Sequence, residues 1–217
     1  DVHLIVAKPE GALEAKLRQS FRSYGNLRLT IHGFPRERYA HFFVDNHLSP
    51  EAYLRIFAAD VLPSHMARVL YLDCDLVVLG NLWPLWSIDI QAVTLAGVPD
   101  PFGDFRRAAL GIDDGEPYVN SGVLLMNLAR WRAEDVTERL VHFIESKRSE
   151  LIFHDQDALN AVLRGQILAL EPKVDHIIIE TSGLALPKPL VQAFQWPSVK
   201  SRVTVDGVVA VVDGPAL

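Results

Sequence analysis

The chain has 217 residues, 49% of them hydrophobic and 22% charged, which is enough for the core of one large domain or of one domain with an extension. Its formal net charge of −6 provides no general basic field, so we expect no nucleic-acid partner. We interpret Arg106 and Arg107 as solvated surface, with a small basic patch as the alternative. The single cysteine, Cys74, excludes an intrachain disulfide and fits a reducing compartment, which favours a cytoplasmic protein. No stretch has the length and apolar character of a transmembrane helix or a secretory leader, which leaves peripheral contact as the expected form of membrane association.

The first thirty-three residues alternate between strand and helix patterns. Val2 to Ala7 is an apolar run of strand length. Apolar residues then recur every three or four positions from Gly11 to Tyr24, which predicts an amphipathic helix. Leu27 to His32 alternates as a strand does. Strand, helix and strand in this order predict a βαβ unit and the α/β class.

Two carboxylates follow the next predicted strand. Val69 to Leu72 is a nearly continuous apolar run that favours a strand buried on both faces, and it ends in Asp73-Cys74-Asp75. Residues i and i+2 of an extended backbone point the same way, so Asp73 and Asp75 can share one ligand. A hard cation such as Mn²⁺ or Mg²⁺ would relieve their mutual repulsion. The alternative is a pair of solvated turn aspartates.

A helix is predicted before this strand. Ser49-Pro50-Glu51 has the form of an N-cap, a proline at the first helical position and an acid in the first turn. An apolar stripe continues to Val61, where Leu62-Pro63 ends the helix. Arg55 on this helix has two interpretations, a phosphate contact or a solvated surface residue.

Two more strands are predicted beyond the aspartates. The first, Val93 to Val98, ends at Pro99-Asp100-Pro101. The second opens with Asn120-Ser121-Gly122 and continues to Asn127. Gly122 would let the backbone approach a ligand and Asn120 offers a donor and an acceptor, although a simple turn explains both residues equally well.

Two helices complete the first 170 residues. Ala133 to Lys147 has one apolar stripe. His154-Asp155-Gln156-Asp157 then precedes a short helix from Ala158 to Leu163, for which Asp155 is the natural N-cap on local grounds.

Three blocks in this order resemble glycosyltransferase family eight, which includes bacterial lipopolysaccharide galactosyl- and glucosyltransferases and the glycogenins. The blocks are residues 68–82, residues 118–128 and Asp-Gln-Asp-Ala-Leu-Asn at 155–160, and the resemblance covers about residues 1–170. It implies a GT-A fold, an α/β sheet that binds a nucleotide sugar. It also implies transfer of a hexose, glucose or galactose, from a UDP-sugar to a glycan or lipid-linked acceptor, with Mn²⁺ and retention of configuration.

The resemblance also implies roles for individual residues. Asp73 and Asp75 would bind the metal at the diphosphate, and Arg55 would lie near the nucleotide. Asp155 would bind the donor sugar, and Gln156 stands at the position of a nucleophile or a stabilising group. Two further residues would line the sugar pocket, namely Asp100 and Asn120.

Two departures from the family pattern stand out. The family's opening strand with its Asp-rich nucleotide loop is absent before Val2, so we interpret residues 1–171 as an N-terminally incomplete domain. The closing His-x-x-Gly-x-x-Lys-Pro motif is also absent after Asp157, with Glu180-Thr181-Ser182-Gly183 as its nearest imitation. We therefore expect reduced or absent activity from this chain as written.

Residues 172–217 resemble a different family, the CobW-type P-loop GTPases. The similar stretches run from Lys173 to Pro189, from Phe194 to Pro197 and from Arg202 to Pro215. The phosphate loop Gly-x-x-x-x-Gly-Lys-Ser/Thr of that family is absent from the sequence. Two alternatives to a transferase therefore stay open, a fragment of a GTP-dependent metal chaperone and a non-catalytic α/β module.

Overall fold

The structure is a computed structural model that describes residues 1–8, 11–22, 24–44, 49–74, 76, 78, 80–148 and 150–171. The chain divides into two units, Asp1–Pro172 and Lys173–Leu217, and the description below concerns the first. The predicted metal ligand Asp75 and the CobW-like tail from residue 172 lie outside the described residues.

The described part contains strands, α-helices and 3₁₀ helices. Its strands are β1 (Val2–Val6), β2 (Leu29–Gly33), β3 (Arg68–Leu72), β4 (Leu95–Pro99), β5 (Val119–Asn127) and β6 (Ile167–Ala169). Its α-helices are α1 (Gly11–Arg22), α2 (Ala58–Val61), α3 (Trp83–Trp86), α4 (Arg107–Leu110), α5 (Leu128–Ala133), α6 (Val136–Ser146) and α7 (His154–Val162). Short 3₁₀ helices cover Arg36–Arg38, Pro50–Phe57 and Asp104–Arg106.

The N-terminal elements form the predicted βαβ unit. β1 and β2 pair in parallel, with Val2 opposite Leu29 and Val6 opposite Gly33, and α1 connects them. A parallel pair requires such a crossover connection, so the βαβ prediction is confirmed.

A second sheet has the strand order β3-β5-β4-β6. β5 runs antiparallel to both β3 and β4, whereas β6 runs parallel to β4. Alternate residues of β5 therefore enter different cores: Leu124 and Met126 pack with the helices of the larger cluster, and Leu125 packs with the smaller one. Two residues of β3 show the same division, because Val69 packs against the larger cluster and Leu70 against the smaller one. β3 thus packs on both faces, but each of its residues is only partly buried, so the predicted full burial is wrong.

Three helix predictions need correction. The segment Pro50–Phe57 is a 3₁₀ helix, Ser49 makes no side-chain cap bond, and every residue from Tyr53 to Phe57 is buried, where the sequence predicted a single apolar stripe. The helix predicted from Ala133 begins at Val136, because Asp135 adopts a left-handed conformation with φ 50° and separates α5 from α6.

The third correction concerns Asp155, which is not an N-cap. α7 already begins at His154, and Asp155 is its second residue. The carboxylate of Asp157 instead reaches back to accept hydrogen bonds from the amides of Ile152 (2.8 Å) and Phe153 (3.1 Å). These amides precede the first turn, so Asp157 fixes the entry of the chain into the helix.

None of the helices within these described ranges has the length and hydropathy that crossing a bilayer requires.

Candidate active site

Most of the predicted site residues lie at one edge of the four-stranded sheet. β3 ends at Leu72, opposite Val123, and β4 ends at Pro99, opposite Val119. Because β5 is antiparallel to both, its first residues lie at the same edge as the carboxyl ends of β3 and β4. α7 adds its first turn here through contacts with β5. Open α/β sheets bind ligands at such an edge.

Arg55 is the central cation of this edge and is only 7% exposed. One terminal nitrogen lies 3.0 Å from Oδ1 of Asp73, and Nε lies 3.0 Å from Oδ2 of Asp155. The guanidinium also donates to the carbonyl oxygens of Ala52 and Ser121. Arg55 thus joins the predicted metal ligand to the predicted sugar ligand, and the solvated interpretation of this residue is wrong.

The charges of this cluster explain its pKa shifts. Burial opposes the charge on Arg55, but the nearby Asp155 and Asp73 outweigh that effect, so its pKa is raised. Burial raises the pKa of Asp155, while the Arg55 guanidinium opposes the rise. Oδ2 of Asp155 is buried and accepts no hydrogen bond from the described residues, because its contact with Arg55 lacks hydrogen-bond alignment. This oxygen is closed off from solvent, and the Arg55 guanidinium is its charged neighbour.

Asp73 is suited to hold a divalent cation. Its Oδ1 accepts a 2.6 Å hydrogen bond from the hydroxyl of Tyr71, which orients the carboxylate. Its Oδ2 faces the space left by the missing side chain of Gly122, where a Cβ atom would lie 2.9 Å away. The side chain of Asp73 is 29% exposed, so ligands can reach it, and a carboxylate oxygen is the donor that Mn²⁺ or Mg²⁺ prefers. Within the described residues, which exclude Asp75, no cluster of three or more His, Cys, Asp or Glu side chains could hold a metal ion.

Gln156 lies between two of the strands. Its Oε1 accepts a hydrogen bond from the amide of Ser121 (3.0 Å), and its Nε2 donates to Oδ2 of Asp100 (2.9 Å). Asp100 is half-buried, directly after β4. The structure thus brings Asp100, Gln156, Asp155, Arg55 and Asp73 into one connected set.

Asn120 belongs to the same edge but is exposed. Its Oδ1 accepts a hydrogen bond from the amide of Gly122 (2.8 Å) and would lie 3.1 Å from a Cβ at that glycine. Asn120 and Asp73 therefore border the same Gly122 surface. Asn120 and Gly122 both belong to β5, and the bond between them is the side-chain-to-backbone contact of an Asx turn, so the turn alternative describes part of the local geometry.

Asp157 connects the site to the loop between β4 and β5. Its carboxylate is fully buried and accepts hydrogen bonds from Arg106 Nε (3.1 Å) and from the hydroxyl of Tyr118 (2.7 Å). Arg106 is itself only 6% exposed, so its interpretation as solvated surface is wrong. An unpaired arginine would be costly to bury, and the ion pair with Asp157 is what makes its burial feasible.

Sequence reasoning missed the residues that hold the predicted ones in place. Tyr71 could have been found, because it lies two residues before Asp73 and so shares its side of an extended strand. Tyr118 and Arg106 meet Asp157 across 39 and 51 residues of sequence, and no local pattern predicts contacts of that range.

Two families match the sequence. The family described as "Glycosyl transferase family 8" matches residues 3–181. The family described as "CobW/HypB/UreG, nucleotide-binding domain" matches residues 149–217. The two matches overlap at residues 149–181, and the described part of the overlap contains α7 with the site residues Asp155 and Gln156.

Individual relatives also fall into two groups, the glycosyltransferase-like proteins and the CobW proteins. General stress protein A of Bacillus subtilis is 36% identical over 138 residues, which are 62% of this chain and 48% of the relative. Lipopolysaccharide 1,2-glucosyltransferase of Escherichia coli is 31% identical over 135 residues, 61% of this chain and 40% of the relative. In the tail, zinc chaperone CobW of a Sinorhizobium species is 64% identical over 52 residues, 24% of this chain and 15% of that protein. The chain spans about half the length or less of these relatives.

A solved structure shows the same fold. The galactosyltransferase LgtC, solved with donor and acceptor sugar analogues, superposes with a TM-score of 0.71 at 29% identity. The match covers 77% of this chain and 61% of LgtC. The described unit therefore has the GT-A fold, with the mixed α/β sheet described above. With the family match over most of its residues, this chain belongs to glycosyl transferase family 8.

Proposed function

We propose that this chain carries the donor site of a retaining hexosyltransferase that moves glucose or galactose from a UDP-sugar to a glycan or lipopolysaccharide-type acceptor. The observation that carries the proposal is the buried Arg55, which pairs with both Asp73 and Asp155 at one sheet edge. The hexose and acceptor classes are supported by the similar lipopolysaccharide glucosyltransferase and by the LgtC galactosyltransferase.

The diphosphate end of the site centres on Asp73. Asp73 and Asp75 would hold Mn²⁺ or Mg²⁺, and Oδ2 of Asp73 faces the space beside Gly122. The cation supplies positive charge to the leaving diphosphate. Arg55 pairs with Asp73 at 3.0 Å and would add a second positive charge near the same phosphates.

The sugar end of the site is formed by polar groups with defined directions. Asp155 stands at the position that the family resemblance gives to the donor-sugar ligand, and its Oδ2 is paired with Arg55. Gln156 and Asp100 present a second pair of polar groups, and Asn120 adds an exposed amide. Preorganised dipoles of this kind stabilise the positive charge that develops on the sugar ring.

The reaction breaks the bond from the anomeric carbon to the diphosphate oxygen, and its electron pair leaves with UDP. The acceptor hydroxyl oxygen forms the new bond on the same face of the sugar, and its proton passes to the departing diphosphate. Retention is supported by the resemblance of the Asn120 and Asp155-Gln156 blocks to a retaining family. With water as acceptor, the same step hydrolyses the donor.

Product NMR with UDP-α-glucose and UDP-α-galactose tests this proposal. We expect slow, Mn²⁺-dependent release of the α-sugar, because the closing His-x-x-Gly-x-x-Lys-Pro motif is absent from the sequence. A first-formed β-sugar would contradict retention. Gln156→Ala should lower the rate about 100-fold, as expected when a preorganised stabilising group is lost. The control is Gln91→Ala, which changes an exposed glutamine. No release from either donor by the unmodified chain would contradict the proposed activity.

We also propose a division of the chain into a transferase-like domain, residues 1–171, and a CobW-like segment, residues 172–217. The two family matches support two segments of different kinship, and they overlap at residues 149–181, on both sides of the proposed boundary. The single Cys74 supports a cytoplasmic location, where thiols stay reduced.

A further inference from the structure

The side-chain amide of Gln156 has one favourable orientation in this site. Oε1 accepts from the amide N–H of Ser121, while Nε2 has two acceptors, Oδ2 of Asp100 at 2.9 Å and the hydroxyl of Tyr118 at 3.3 Å. Turning the amide over would place two donors face to face at Ser121 and two oxygens face to face at Asp100. The surrounding groups therefore determine which atom points in which direction.

Tyr118 accepts from Gln156 because its own proton is committed elsewhere. Its hydroxyl donates to Oδ1 of Asp157 at 2.7 Å, which leaves a lone pair for Nε2 of Gln156. Burial, and next the hydrogen bond to Asp157, raise the pKa of the Tyr118 hydroxyl, so it stays a neutral donor near neutral pH. Asp157 in turn is held by Arg106 and two backbone amides.

The ring of Tyr118 is fixed as firmly as its hydroxyl. Only 1% of the residue is exposed, and the backbone of Gly103 lies against the ring, so that a Cβ at Gly103 would be 1.9 Å from Cε1. The amide of Asp100 donates to the carbonyl of Tyr118 at 2.8 Å. The Tyr118 hydroxyl is therefore held in one position, because Gly103 packs against its ring and Asp157 accepts its proton.

We propose that Tyr118, held by Asp157, is a positioning residue that fixes the side-chain amide of Gln156 for sugar transfer. The effect of Tyr118 on the transfer rate rests on the proposed function. The geometry itself is independent of turnover, so it can be tested separately.

The kinetic test compares Tyr118→Phe with Tyr53→Phe in the full chain. Both variants remove a buried hydroxyl with one donated hydrogen bond, because Tyr53 donates to the carbonyl of Phe43 at 2.8 Å. Tyr118→Phe should lower kcat for donor hydrolysis about tenfold. This corresponds to a rise of about 1.4 kcal/mol in the activation free energy, which is the contribution of one hydrogen bond. The Kd for UDP should stay within about twofold, because UDP lacks the sugar that Gln156 faces. Tyr53→Phe should leave kcat unchanged.

The second test uses no turnover. The Gln156 carboxamide signals are assigned in ¹⁵N spectra by their loss in Gln156→Leu, and their exchange with water is measured. In Tyr118→Phe, one Nε2 proton loses its acceptor, so exchange should accelerate about five- to tenfold. Tyr53→Phe should leave this exchange at the wild-type rate, although it loses a comparable hydrogen bond.

The outcomes separate the two proposals. Wild-type carboxamide exchange in Tyr118→Phe overturns the positioning role, whatever the kinetics. Faster exchange with an unchanged kcat overturns its link to transfer. If the wild-type chain turns over no UDP-sugar, the proposed function fails, and the exchange measurement alone decides whether Tyr118 positions Gln156.

Discussion

Arg55 shows how one residue can serve both structure and chemistry. A buried guanidinium is costly unless it is paired and hydrogen-bonded, and here two carboxylates and two backbone carbonyls meet that requirement. Its Cζ atom also lies 4.8 Å from the centre of the Tyr71 ring. The same contacts hold Asp73 and Asp155 at a fixed separation before any ligand arrives, which lowers the entropic cost of binding.

Replacing Arg55 by methionine should therefore destabilise the protein strongly. The substitution leaves two buried or half-buried carboxylates without their cation, which typically costs about 3 to 5 kcal/mol in the free energy of unfolding. Arg18→Met is the control, since it breaks an exposed i,i+4 pair with Glu14 worth about 0.3 to 0.5 kcal/mol. Urea denaturation measures both variants. Equal losses would show that the Arg55 pairs contribute no more than a surface pair.

Among the elements, the loop between β4 and β5 depends most on a small residue. Gly103 has ordinary backbone angles, φ −88° and ψ −8°, so any residue could adopt its conformation. What excludes larger residues is the ring of Tyr118, which occupies the space of a side chain.

Gly103→Ala should displace either this loop or the ring. Overpacking of this kind costs about 1 to 3 kcal/mol of stability, and kcat should fall with it because Asp100 and Tyr118 both bond Gln156. Gly25→Ala, with no atom within 4 Å of the added Cβ, is the control. Thermal melts and donor hydrolysis would be compared, and wild-type values for Gly103→Ala would contradict the close packing.

The paired strands β1 and β2 contain a histidine pair that should make stability depend on pH. Nδ1 of His3 lies 2.9 Å from Nε2 of His32, and burial lowers the pKa of both rings. An unfolded histidine binds its proton near pH 6.5, whereas the folded pair resists protonation to a lower pH. The unfolded state thus binds more protons, so stability falls as pH drops through about 6.5.

His32→Gln should reduce this pH dependence. Melting temperatures at pH 7.5 and 5.5 should differ less in His32→Gln than in the wild type. His65→Gln removes an exposed histidine and should leave the difference unchanged. If His32→Gln kept the wild-type difference in melting temperature, groups other than this histidine pair would cause the pH dependence.

The two-residue period of strands and the three- to four-residue spacing of helices predicted much of the element order. These local patterns failed where contacts between distant residues determine the structure. The βαβ unit and β3 were predictable because strand alternation and helical spacing are local. The placement of Asp73, Arg55, Asp155 and Gln156 in one site came from family resemblance, since their contacts cross three elements. The burial of Arg106 depends on its contact with Asp157 across 51 residues of sequence, which propensity cannot report.

At the scale of the whole molecule, we expect the CobW-like segment to add no GTP hydrolysis. GTPases of this class need backbone amides and a lysine in a phosphate loop, and the printed sequence has no Gly-x-x-x-x-Gly-Lys-Ser/Thr stretch. Phosphate release from GTP should stay at the buffer background in the full chain. Activity above that level, lost in Glu180→Ala, would support the metal-chaperone alternative.

Binding of the nucleotide should instead appear as stability of the transferase unit. A ligand that binds only the folded state adds about 2.7 kcal/mol at 100 times its Kd, which corresponds to a rise in Tm of about 5 to 10 °C for a domain of this size. If Asp73 holds the cation, UDP should raise Tm by this amount with Mn²⁺ and by much less with EDTA. Asp73→Asn should abolish the Mn²⁺-dependent part, even though its own Tm without ligand is lower through the lost Arg55 pair. Asp114→Asn removes an exposed carboxylate and should keep the full shift. A UDP shift independent of Mn²⁺ and of Asp73 would show that this carboxylate serves only to neutralise Arg55.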